Sequence, residues 1–214
     1  LDSAGIYRGS VGADSVSQPG DVFVTENRIW ISDYAIRGVR VFDRSSWEYL
    51  YSFPDSVQPR DPGGLARPAN LFVWRDEVYV SDQLGAKVEV YSTDGDHLRT
   101  IGSRGVGFGQ FSLPKGLAVD EAGRIYVVDA RFENVQIFDN DGRLLTFFGG
   151  PYRGPGYMSL PAKVTVDYAH LDYFRPYVHP QFELEHLIFV TNQSGPDRIS
   201  VYGFVRARER PAGN

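Results

Sequence analysis

Between Leu113 and Gly149 the sequence runs through four short segments of alternating apolar and polar residues, GLAVD, RIYVVD, NVQIFD and LLTFFG. Turn residues part them at Glu121-Ala122-Gly123, Arg131-Phe132-Glu133 and Asn140-Asp141-Gly142. Alternation at period two, enrichment in β-branched and aromatic side chains and an Asp-Gly hairpin signal predict a four-stranded antiparallel meander. One such sheet cannot bury both of its faces, so the chain must supply neighbours of the same kind.

Those neighbours are in the sequence. Pro19, Pro68, Pro114 and Pro161 stand in equivalent contexts, 49, 46 and 47 residues apart. The pairs Ser32-Asp33, Ser81-Asp82, Val128-Asp129 and Thr191-Asn192 follow in the same order, as do Val41-Phe42-Asp43, Val90-Tyr91-Ser92, Ile137-Phe138-Asp139 and Val201-Tyr202-Gly203. A repeat of this length built from four strands predicts an all-β chain of β-propeller blades. The expected blades are 19–67, 68–113, 114–160 and 161–214 of a single propeller domain, with 1–18 as the end of a preceding blade and its linker. A chain of 214 residues with 42% hydrophobic and 14% aromatic content has enough apolar material for such a core.

The stretch from Gly105 to Gly142 resembles the NHL-repeat family: a glycine-rich linker, Phe, Pro, an apolar strand ending in Asp, Gly-Arg-Ile-Tyr-Val, a further Asp, then Val-Gln-Ile-Phe-Asp and Asp-Gly. The other units match more loosely, with Thr25 and Trp74 replacing the Asp after the first strand and Asn192 replacing the second Asp of the fourth unit. The resemblance implies the propeller fold. For function it points several ways, because propellers host lyases, lactonases, RNA-binding modules and scaffolds.

Leu1 to Gly5 aligns with Phe138 to Gly142, the end of a third strand and its hairpin, and Gly5 to Ser10 then reads as a fourth strand. At the other end, residues 197–204 read as a third strand and residues 205–214 carry no signal for a fourth. Either Gly5 to Ser10 closes a four-bladed ring or the chain is most of a six-bladed one; the interior look of Leu1 to Gly5 favours six.

Composition narrows the chemistry. No run of about 18 apolar residues occurs to span a membrane. A net charge of -5 argues against a nucleic-acid partner held through phosphates. Without cysteine there is no disulfide, thiolate or Cys-ligated zinc, and no attachment site for c-type haem. The glycine-rich stretches 102–109 and 149–156 lead to Pro114 and Pro161 and another strand rather than to a helix N-terminus, so they read as inter-blade linkers, not phosphate loops.

Two insertions interrupt the repeat. Residues 54–67, rich in Pro, Gly and charge, predict an irregular surface loop. Residues 168–185, YAHLDYFRPYVHPQFELE, split the fourth unit between its first and second strands where the third unit has only three turn residues. Loops of that length are usually functional, and this one carries aromatic residues of the type that anchor interfaces. The candidate partner-binding residues are Tyr168, His170, Tyr173, Phe174, Tyr177, His179 and Phe182; the alternative is that the rings only pack the loop onto its blade.

The metal candidates are weaker. His170, His179 and His186 lie in or beside the insertion with Asp172, Glu183 and Glu185, in no known ligand spacing. Asp33, Asp82 and Asp129 recur at equivalent heights and resemble calcium-holding carboxylates of propeller lactonases, but an Asp after a strand commonly caps the following turn. His97, after an Asp-Gly turn, is expected to face solvent. No nucleophile-base order emerges, and the lysines are only Lys87, Lys115 and Lys163.

The leading expectation is therefore a non-enzymatic propeller scaffold, without cofactor, that binds another protein through the 168–185 insertion. Resemblance to bacterial NHL proteins implies an extracytoplasmic setting, periplasmic or extracellular, and a multihaem c-type cytochrome in an electron-transfer complex as one partner. The alternative is a lyase or lactonase using calcium or zinc, and RNA binding comes last.

Overall fold

The alternating runs become strands in the order of the repeat. In the computed structural model, which describes residues 3–151 and 154–208, they build four antiparallel meanders. The first sheet is β1 (Pro19–Val24), β2 (Arg28–Asp33), β3 (Gly38–Asp43) and β4 (Tyr49–Phe53). The second is β5 (Pro68–Trp74), β6 (Glu77–Asp82), β7 (Lys87–Ser92) and β8 (His97–Ile101), and the third is β9 (Pro114–Val119), β10 (Ile125–Asp129), β11 (Asn134–Phe138) and β12 (Leu144–Gly149). The fourth has three strands among the described residues: β13 (Pro161–Asp167), β14 (Phe182–Asn192) and β15 (Ile199–Ala207). The fold is all-β and consists of propeller blades, as the repeat predicts.

The recurring sequence landmarks have a shared structural cause. Three of the leading prolines pair with the residue ending the second strand, Pro19 with Asp33, Pro68 with Asp82 and Pro161 with Asn192, and the register then slips by one residue. The slip turns an N–H out of the ladder, and the neighbouring hydroxyl accepts it: Asp21 N–H on Ser32 Oγ at 2.8 Å, Asn70 on Ser81 at 3.0 Å, Lys163 on Thr191 at 3.1 Å. The bulge and its Ser or Thr are thus one device.

The chain divides into two compact units, Leu1–Lys115 and Gly116–Asn214. In the first, Trp30, Val39, Val41 and Phe53 of the first sheet pack with Leu71, Val73, Val78 and Val80 of the second, joined by Leu65 and Tyr91. Burying each such side chain contributes about 1.5–3 kcal/mol. Asp21 ties the two sheets, accepting from Leu71 N–H at 3.2 Å and Asn70 Nδ2 at 3.1 Å. In the second unit Ile125, Val127, Val135, Val164, Ile188 and Val190 are buried.

Four local expectations need correction. Residues 5–10 form no strand; they run as irregular chain. Leu1 and Asp2 of that reading, and residues 209–214 of the other end, lie outside the described residues. The third strand of the fourth sheet continues past 204 to Ala207, because Phe182–Leu184 pair with Ala207–Val205. Phe182 to Glu185 therefore belong to a strand and not to a loop. The 54–67 loop is not wholly at the surface: Gly63 to Leu65 are buried, and Tyr91 donates to the Gly63 carbonyl at 2.6 Å.

Candidate functional site

The insertion starts from Asp167 at the end of β13. Its Oδ1 accepts the His170 N–H at 2.8 Å and its Oδ2 lies 2.8 Å from His170 Nδ1. Bonding to His170 holds the Asp167 carboxyl below the usual carboxylate range. The turn leads into α1 (Leu171–Phe174) and a 3₁₀ turn over Arg175–Tyr177, where Pro176 occupies an early position needing no N–H donor. Phe174 points back onto the sheet and meets Phe189 of β14 edge-on, with centroids 6.1 Å apart. His179 closes the return, its carbonyl accepting the Phe182 N–H at 2.9 Å and its ring standing edge-on to Phe182.

Of the seven partner-binding candidates, Phe174 fastens the insertion down and Tyr168 fixes its root: the Tyr168 hydroxyl accepts the Glu121 N–H at 3.0 Å, and its ring lies 5.3 Å from His186. Tyr173 and Tyr177 point outward, 76% and 84% exposed. Between the insertion and the sheet lies a cavity of about 270 Å³, lined by Phe174, Tyr177, His179, Phe182, Leu187 and Val201, among others.

The metal candidates are occupied otherwise. Asp33 accepts N–H groups of Gln18 and Ala35 at 3.2 and 2.9 Å and the Arg40 guanidinium at 2.9 Å. Burial opposes its ionisation, but Arg40 and these N–H groups outweigh that and hold its carboxyl low. Asp82 accepts N–H groups of Ala66, Arg67 and Gly85 at 2.8–2.9 Å, and Asp129 accepts those of Arg131 and Phe132 at 2.9 and 3.1 Å. Asp33 and Asp82 thus reach back to the linker before their own blade as well as forward to the turn. Asn192 does the same, accepting from Ser159 at 3.2 Å. Among the described residues no three His, Asp or Glu side chains come together to hold a metal ion. His97 is exposed as a residue, yet its Nε2 contacts the buried Glu89 at 2.8 Å.

His186 is neither a surface histidine nor part of the insertion's outer face. It is buried, stacked on Phe204 with centroids 4.7 Å apart, with Nε2 2.9 Å from the Tyr126 hydroxyl. Tyr126 donates to Asp120 Oδ2 at 2.9 Å, and Arg124 Nε binds the same oxygen at 2.5 Å. Directionality along this chain makes His186 the Nε2–H tautomer, leaving Nδ1 without a hydrogen-bond partner among the described residues. Sequence reading missed this network; its legible part is Asp120 with Arg124 four residues on, the spacing repeated by Asp139 and Arg143, which pair at 2.8 Å.

Residues 60–146, less than half of the chain, match the model of a family, DUF5128, described as a 6-bladed beta-propeller. No curated protein matches the sequence. Among solved structures, a streptogramin B lyase aligns with a TM-score of 0.55 at 14% identity, over 88% of this chain and 55% of its own. A catalytically inactive virginiamycin B lyase from Staphylococcus aureus, with quinupristin, gives 0.55 at 15% identity, over 90% and 57%. The computationally designed protein Ika4 gives 0.56 at 13%, over 91% of this chain and 95% of its own. The chain thus spans little more than half the length of the lyases it matches. At these identities the likeness is one of fold: the class is the β-propeller.

Proposed function

We propose that this propeller is a non-enzymatic scaffold that binds another protein through the 168–185 insertion. The observation that carries the reading is the pair Tyr173 and Tyr177, exposed on a segment that is itself fastened by Phe174, Tyr168 and Asp167. Rigid aromatic side chains presented on an ordered base lose little conformational entropy on association. Scaffold is preferred to metal-dependent lyase because Asp33, Asp82, Asp129 and His186 already serve the fold. The NHL-like pattern of residues 105–142 adds a setting to the proposal: an extracytoplasmic complex, with a multihaem cytochrome as one candidate partner.

A photo-crosslinking side chain placed at 177 tests the reading in the organism that makes the protein. A single adduct of defined mass is expected at 177, and it should be competed away by purified chain but not by chain carrying Tyr173→Ala and Tyr177→Ala. Equal crosslinking from Tyr49, exposed on β4, would overturn it.

A further inference from the structure

The position five residues before the Asp that ends the second strand is charged in the first three blades, as Arg28, Glu77 and Arg124, and is neutralised in two of them. In the second blade Glu77 binds Arg99 at 2.6 Å and accepts from the Tyr79 hydroxyl at 2.5 Å. In the third, Arg124 binds Asp120. The equivalent residue of the first blade is Arg28. There Thr25 stands where the third blade has Asp120, and Tyr51 stands where the second has Arg99. Arg28 Nη1 donates to the Tyr51 hydroxyl at 2.7 Å and to the Thr93 carbonyl at 2.9 Å, and its guanidinium carbon lies 5.7 Å from the Trp30 ring and 5.6 Å from that of Tyr51. Among the described residues it pairs with no carboxylate, and its Nε and Nη2 meet no protein acceptor.

That half-buried cation opens on a cavity of about 360 Å³ with Trp30 and Val73 as its apolar wall, Thr25 and Asn27 beside it and Arg75 at the rim. Arg75 lies flat over Trp74 at 4.1 Å and likewise pairs with no carboxylate among the described residues. We infer that this cavity is a binding site for a monoanionic carboxylate with a short apolar tail, received side-on by Nε and Nη2 of Arg28. A guanidinium edge matches the two oxygens of a planar carboxylate. The same cavity is also lined by Glu26 and Asp76, both exposed, whose repulsion is twice as large for a doubly charged phosphate as for a monoanion. Trp30 and Val73 take the tail. The site is separate from the insertion, and neither reading depends on the other.

The three indole N–H resonances, from Trp30, Trp47 and Trp74, provide the readout. Butyrate should shift the Trp30 signal saturably and leave Trp47 unmoved, while the neutral isostere butyramide should shift neither. Arg28→Gln should weaken butyrate binding at least tenfold; if that variant does not fold, the comparison of butyrate with butyramide on the unaltered chain decides. A short peptide with a free C-terminus binding tenfold more tightly than butyrate, and losing this on amidation, would assign the site to polypeptide ends. Equal binding of peptide and butyrate would assign it to small acids. Absence of saturation with butyrate, an equal response to butyramide, or an equal midpoint with inorganic phosphate would overturn the inference.

Discussion

His186 has a buried ring, a donor bond through Nε2 to Tyr126, and an Nδ1 that meets no hydrogen-bond partner among the described residues. Taking a second proton would place a charge where burial disfavours it, and burial accordingly pushes the imidazole below its ordinary range. Asp120 and Glu185 pull the other way, and Arg124 adds to the depression. A base with a depressed folded pKa contributes stability that is present above its unfolded value of 6.5 and is lost as pH falls below it. The loss cannot exceed about 1.4 kcal/mol per pH unit for one group. Thermal unfolding should therefore drop by about 2–4 °C per kcal/mol between pH 7 and pH 5, and His186→Phe, which keeps the stack on Phe204, should flatten that slope. The carboxylates held low, Asp33 and Asp167 among them, act in a separate window below the ordinary carboxylate range near 3.8. A slope unchanged in the variant would count against His186 as its source. Little of this was open to sequence reading. The recurring Asp of the first three second strands announces a turn and N–H groups to satisfy, whereas Tyr126 belongs to the repeat but its partner His186 lies 60 residues on, beside the insertion.

At the scale of elements, the insertion shows where periodicity stops informing. Its length marked it as a departure from the blade, but its packing depends on Phe174 against Phe189, a pairing the other three blades do not contain. Its boundary was misplaced for a related reason. FELE alternates weakly, and its strand character comes from β15, whose Val205 and Ala207 pair with Leu184 and Phe182. This sets how the segment can be removed. Replacing residues 169–180 with a three-residue turn such as Glu121-Ala122-Gly123 preserves that pairing and should leave the β circular-dichroism signal intact. It uncovers Phe189 and Leu187, so the unfolding free energy should fall by about 1–3 kcal/mol. A cut extended to Glu185 removes one end of the β14–β15 ladder as well and should cost distinctly more. Equal losses from the two deletions would show that Phe182–Glu185 contribute nothing as a strand.

Across the whole molecule the repeat compares each position with its equivalents, and the comparison exposes an asymmetry. Leu71 and Val73 of β5 are 1% and 8% exposed, covered by Trp30, Val39 and Val41 of the preceding blade. Val22 and Val24 occupy the same places in β1 and are 55% and 51% exposed. These side chains were legible as blade-facing from their alternation, but whether each is covered depends on the neighbour and not on its own strand. Truncating Leu71 to Ala leaves a cavity in a packed interface and should cost about 2–5 kcal/mol. Val22→Ala removes surface already in water and should stay within about 0.5 kcal/mol in this 214-residue chain. Were another blade to lie against β1, the two costs should converge. Denaturant unfolding of both variants, in this chain and in the protein isolated from its source, separates the cases. A small cost for Val22→Ala in both would mean that no further blade covers that face.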